Sequence, residues 1–91
     1  VTGVEILITG RVQSVGFRAC VRRIAESLII CGEVMNLTDG RVRVYAVTEP
    51  VILEKFISML YSCPRAIIRD IRVREIEAAE YPDFSIRRGL F

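Results

Sequence analysis

Between residues 4 and 30 the spacing of apolar side chains changes abruptly. Residues 4–10 alternate and are rich in β-branched types, the pattern of a half-buried strand. From Phe17 onward, Val21, Ile24, Ala25 and Leu28 recur at helical spacing to about residue 30. The switch falls within Gly10-Arg11-Val12-Gln13-Ser14-Val15-Gly16-Phe17-Arg18, so a strand must become a helix across a glycine-bounded loop at residues 11–16. The N–H groups of a first helical turn lack intrahelical acceptors, and the helix dipole adds partial positive charge there. Successive loop amides form a concave nest for oxyanions. Arg18, in the first turn, offers a planar fork of donors. Gln13, Ser14, Val15, Gly16, Phe17 and Arg18 are therefore a candidate anion-binding set. The same spacing also suits a plain strand-to-helix connection with a surface arginine.

The remaining chain continues the alternation of periods. Gly32 is the expected stop for the first helix. Residues 33–37 and 41–47 read as strands, joined by a Thr38-Asp39-Gly40 turn in which glycine supplies positive φ. Pro50 suits a first helical turn, and Leu53, Phe56, Ile57 and Leu60 form one buried stripe. Ser62-Cys63-Pro64 ends that helix. Residues 67–77 alternate as a long strand, and residues 84–87 make a short last one. The order is that of an α+β, ferredoxin-like βαββαβ sandwich with an extra segment. Its antiparallel sheet carries two helices on one face and leaves the other largely solvated. That fold hosts many functions and selects none.

Composition narrows the chemistry. The chain has 91 residues, 52% of them hydrophobic, so residues 1–91 are expected to form one domain with a real core. No apolar run approaches the roughly 18 residues of a membrane span, and no basic-then-apolar leader opens the sequence. The reading is a soluble, monomeric, cytoplasmic domain. Cys20, Cys31 and Cys63 are odd in number and not spaced like a metal knuckle, so they read as small buried thiols in a reducing compartment. Histidine is absent, which removes imidazole bases, phosphohistidine chemistry and most zinc sites. Glutamine and asparagine occur once each, as Gln13 and Asn36. Scarcity of both is one habit of heat-adapted chains.

Asn36 lies in Gly32-Glu33-Val34-Met35-Asn36-Leu37-Thr38-Asp39-Gly40, near the end of the second strand. It either shapes the following turn or holds a water, since an amide donates and accepts at once.

Together the two segments resemble the acylphosphatase family, whose loop runs G-x-V-Q-G-V-x-F-R and is followed by G-aromatic-V-x-N-x-x-x-G. Here they read GRVQSVGFR and GEVMNLTDG, and SCPRAIIRDIRV and FSIRR resemble the family's later segments. The resemblance covers nearly the whole chain. It implies hydrolysis of the carboxyl–phosphate bond of acyl phosphates, with no metal or cofactor. Arg18 and the amides of Gln13 to Arg18 would hold the phosphoryl group, and Asn36 would position the attacking water. A carboxylate leaving group of low pKa needs little general-acid help, and phosphoryl transfer is chiefly positioning and charge stabilisation. Three positions depart from the pattern. Ser14 replaces a glycine, at a cost of about 1 kcal/mol if φ is positive there. Glu33 replaces an aromatic residue, and a carboxylate facing the pocket would weaken anion binding. Thr48 replaces a glycine where threonine is also a good helix cap.

Alternative functions are weaker. Cys63 to Arg69 matches the C-x5-R spacing of cysteine-dependent phosphatases. With three Cys and 12 Arg such a match is expected by chance, and the intervening residues lack glycine. An RNA-binding sheet face could use Arg43, Tyr45, Arg72 and Arg74, but the aromatic signature is missing and a net charge of +2 is small. A non-catalytic phosphate-binding or regulatory domain of the same fold is the remaining alternative. Acylphosphatase-like domains also open larger hydrogenase-maturation carbamoyltransferases, which usually follow the motif arginine with Pro-Phe. Ala19-Cys20 follows here, favouring a stand-alone protein.

Overall fold

The computed structural model describes residues 2–88. They form β1 (Thr2–Arg11), α1 (Phe17–Ser27), β2 (Cys31–Asn36), β3 (Val42–Thr48), α2 (Pro50–Leu60), β4 (Ile67–Ile76) and β5 (Phe84–Arg87). The strands make one sheet in the order β4-β1-β3-β2-β5. The α+β ferredoxin-like arrangement expected from the apolar periods is the arrangement observed.

One face of each central strand is buried. Ile6 opposes Val44, Val4 opposes Ala46, Ile8 opposes Val42, and Val34 lies beside Val44. These side chains join Phe17, Val21, Ile24 and Ala25 of α1 and Phe56 and Leu60 of α2 in one core. The period-2 and period-3.6 patterns therefore meet on one face of the sheet. Phe56 of α2 and Phe84 of β5 pack edge to face with ring centroids 6.4 Å apart, which ties β5 into the core.

The sheet is not wholly antiparallel. β5 runs parallel to β2, from Gly32 opposite Phe84 to Met35 opposite Arg87. The reason lies in the path of the chain. β4 is antiparallel to β1 and ends where β2 begins, so a connection crossing to the far edge starts β5 alongside the start of β2. The Gly32 N–H donates to the Asp83 carbonyl at 2.9 Å and sets that register.

Two local expectations are corrected. Helix α1 stops before Gly32, which lies inside β2. Ile29 takes the left-handed position at φ 55°, and the Ile30 N–H reaches back to the Ala25 carbonyl at 2.9 Å. That conformation costs a β-branched residue about 1–2 kcal/mol. Burial of Ile30, the next residue, offsets the strain. Thr48 closes β3 rather than capping α2. The cap position is Glu49, which makes no side-chain cap bond, and Pro50 follows in the first turn.

Gly10 shapes the end of β1. The β1–β4 register shifts between Thr9 and Gly10, a bulge that bends the strand just before the loop. A Cβ at Gly10 would run into the Ile67 carbonyl, so only glycine allows this approach.

Candidate active site

The loop after β1 is pinned at both ends and open in the middle. Val12 and Phe17 are each 1% exposed and enter the core, while the residues between them stay at the surface. Ser14 has φ 60° and Gly16 has φ 75°, so the chain turns twice through the left-handed region. Ser14 therefore does occupy a position that favours glycine. Among the described residues, no backbone N–H from Gln13 to Arg18 donates to a protein acceptor; the first bond of the helix is from Cys20 N–H to the Gly16 carbonyl, 3.2 Å. The first turn of α1 carries no acidic residue that would compete for those donors.

These residues border a pocket of about 180 Å³, lined by Val12, Ser14, Gly16, Phe17, Arg18, Ala19, Asn36 and Ile86. It is below the roughly 300–1,000 Å³ of sites for drug-sized ligands, a volume suited to a small group and a water. Arg18 is partly buried and has no acidic partner among the described residues. Asn36 ends β2, one pleat beyond Val34, so it faces the same side as the core. Its Oδ1 is buried and, among the described residues, accepts no hydrogen bond. An amide carbonyl left in that state costs about 1–3 kcal/mol unless something at the pocket satisfies it.

Both sequence segments thus reach one pocket, and the structure adds the link between them. The Gln13 side chain donates from Nε2 to the Leu37 carbonyl at 2.8 Å and to the Arg41 carbonyl at 2.9 Å. Gln13 therefore clamps the loop to the hairpin bearing Asn36. Sequence reading placed Gln13 in the loop but missed this role; its signal was the chain's single glutamine standing in a loop. The hairpin completes its own bonding. Leu37 N–H donates to the Arg41 carbonyl at 2.8 Å, and Arg41 N–H to Asp39 Oδ1 at 3.0 Å. That backbone bond, aided by the Arg41 guanidinium, holds the Asp39 carboxyl below its ordinary value of 3.8.

Cys20 and Cys63 are not free thiols. They form a disulfide across 43 residues of sequence, with Cα atoms 6.0 Å apart. It ties α1, two residues beyond Arg18, to the turn after α2. Three cysteines offer three pairings, and nothing short of helix packing selects this one. Cys31 is free. The disulfide also removes Cys63 from any C-x5-R nucleophile reading.

Glu33 points to the opposite face from Val34 and lies 4.0 Å from the Arg87 guanidinium, away from the pocket lining. On that open face Arg74 pairs with Glu5 at 3.0 Å, Arg72 with Asp70 at 3.0 Å, and Arg43 sits 4.6 Å over the Tyr45 ring. Among the described residues, no group of three or more His, Cys, Asp and Glu side chains is placed to hold a metal ion. No helix there is long and apolar enough to cross a membrane.

Fold and cleft define a class, an α/β sandwich whose pocket suits a small oxyanion. Comparisons with known proteins narrow it. A profile of the acylphosphatase family matches residues 4–86. An acylphosphatase of Archaeoglobus fulgidus is 46% identical over 83 residues, 90% of this chain and 93% of that protein. The crystal structure of acylphosphatase from Bacillus subtilis superimposes with a TM-score of 0.90 at 34% identity, over 96% of this chain and 99% of that one. A crystal structure of full-length HypF in a phosphate- and nucleotide-bound form matches with a TM-score of 0.83 at 33% identity, over 94% of this chain but 12% of that one. The chain belongs to the acylphosphatase family and is an enzyme of that family. Family and structural likeness together support acyl phosphate hydrolysis.

Proposed function

We propose that the protein hydrolyses acyl phosphates at the β1–α1 pocket of a single acylphosphatase-like domain, with Arg18 and Asn36 as catalytic residues. The observation that carries this reading is the pairing of unpartnered donors with an unpartnered acceptor around one cleft. Among the described residues, the N–H groups from Gln13 to Arg18 meet no protein acceptor, and the buried Asn36 Oδ1 meets no protein donor. The amides of Gln13, Ser14, Val15, Gly16, Phe17 and Arg18 cradle the phosphoryl oxygens, and the Arg18 guanidinium adds a charged fork. Asn36 Oδ1 accepts a hydrogen from the attacking water and turns an oxygen lone pair toward phosphorus. The bond from water oxygen to phosphorus forms as the bond from phosphorus to the acyl oxygen breaks. The electron pair leaves with the carboxylate, and the water proton passes to a phosphate oxygen. None of these steps calls on a histidine or a cofactor.

The open face supports a small-molecule substrate over RNA, since its arginines are spent on Glu5, Asp70 and Tyr45. A cytoplasmic location remains part of the proposal, with one qualification from the structure. A disulfide is unusual in a reducing compartment outside heat-adapted organisms, and the scarcity of Asn and Gln agrees with such a source.

The test is hydrolysis of benzoyl phosphate. Arg18→Ala is expected to lower kcat/KM about 10²–10³-fold, the scale of losing a charged transition-state contact. Equal rates for wild type and Arg18→Ala would sink the assignment.

A further inference from the structure

The α2–β4 turn brings a second arginine to the pocket. A Cβ built on Gly16 would lie 3.5 Å from Arg65 Nη2 and meet no closer atom, so the Arg65 guanidinium stands directly over Gly16. Gly16 lines the pocket, whereas Arg65 stands just outside it as an exposed rim residue. Arg65 has no ion pair and no side-chain hydrogen bond among the described residues. Its position is anchored, because Cys63, two residues earlier, is bonded to Cys20 of α1, and β4 begins two residues later at Ile67.

Strand order decides what this arginine can meet. At the site end of the sheet Arg11 of β1 pairs with Ile67 of β4, while Asn36 of β2 is reached through Val42 of β3. In the order β4-β1-β3-β2-β5, the α2–β4 turn that carries Arg65 and the end of β2 that carries Asn36 lie on opposite flanks of β1. Displacement at phosphorus keeps the entering and leaving oxygens roughly in line. Water held by Asn36 on the β2 side therefore expels the acyl group toward the β4 side.

We infer that Arg65 is a specificity-determining residue that meets the acyl end of the substrate and favours acyl phosphates bearing a second negative charge, a carboxylate or a phosphate, on the acyl part. The inference rests on the preceding functional reading. A neutral acyl group offers the guanidinium little, whereas a second anion makes a charge-assisted contact with it. The contact is remote from the breaking bond, so it acts on substrate and transition state alike and shows chiefly in KM.

The experiment compares succinyl phosphate, with a free carboxylate, against benzoyl phosphate, without one, in wild type, Arg65→Gln and Arg65→Glu. Both replacements are L-residues at φ 66°, so neither relieves nor adds much backbone strain, and melting curves check folding. For a pair at an exposed rim, the expected result is a fall of about two- to fivefold in the succinyl-to-benzoyl ratio of kcat/KM for Arg65→Gln, carried by KM. Arg65→Glu lowers the ratio further, and raised salt lowers the ratio in wild type but raises it in Arg65→Glu. An unchanged ratio with active enzyme overturns the inference and leaves the hydrolytic reading standing. No turnover of benzoyl phosphate by wild type overturns both.

Discussion

Two loops meet at the same end of the sheet, and they treat their polar groups in opposite ways. The hairpin at residues 37–41 closes on itself: Asp39 takes up the Arg41 N–H and guanidinium, and the Leu37 and Arg41 carbonyls accept from Gln13. The loop at residues 12–16 is bonded only through the Gln13 side chain. Its ends are buried through Val12 and Phe17, and among the described residues its backbone N–H groups from Gln13 onward meet no protein acceptor. A self-satisfied turn is stable and inert, so it serves as a mount for Asn36. An unsatisfied loop is costly and reactive, and it persists because the core, a disulfide and the Gln13 clamp hold it from outside.

The largest effect that would sharpen this contrast comes from the covalent anchor. Cys20→Ala with Cys63→Ala is expected to lower unfolding free energy by about 4 kcal/mol, from the loop of 43 residues that the bond closes. Denaturant titration of oxidised wild type against the double variant measures it, and an unchanged midpoint would mean the anchor is idle. Next, Asn36→Ala should cost about 10²-fold in kcat, or about 2.7 kcal/mol, while removing a buried unpaired carbonyl should not weaken the fold. A destabilised variant with full activity would make the mount, rather than the carbonyl, the purpose of Asn36. Gln13→Ala is expected to cost about 1–2 kcal/mol of stability and to lower kcat, because it frees the two loops from each other. A pure stability loss with wild-type kcat would separate the clamp from catalysis.

Smaller still is Ser14→Gly. Relief of the left-handed strain is partly offset by glycine's greater freedom when unfolded, which leaves a net gain of about 1 kcal/mol or less in thermal melts. The smallest effect is on the inert side. Asp39 titrates below its ordinary value when folded, so its contribution is present above pH 3.8 and lost as pH falls through the lower folded value. Acid denaturation of wild type and Asp39→Asn should differ at neutral pH and converge on that acid limb. A constant gap at all pH values would show that the carboxylate charge plays no part in the turn.

The site was legible to an uneven depth. Arg18 stood out in the first turn after the glycine-bounded loop and Asn36 as the single asparagine, and the roles expected of them came from the resemblance to the family. The Gln13 clamp was not legible, since its acceptors are backbone carbonyls 24 and 28 residues away and carbonyls carry no sequence signal. The end of the first helix was read from Gly32, which misled because buried Ile30 lets Ile29 take the left-handed turn instead.

The order of strands and helices, the buried faces and the glycine-bounded loop between Gly10 and Arg18 follow from apolar spacing and side-chain chemistry, which act over a few residues at a time. Tertiary structure alone decided that Cys20 reaches Cys63, that β5 runs with β2, and that Arg65 and Asn36 are carried on opposite flanks of β1. Those pairings depend on which elements pack together across the sheet, and packing joins residues whose separation along the chain carries no local pattern.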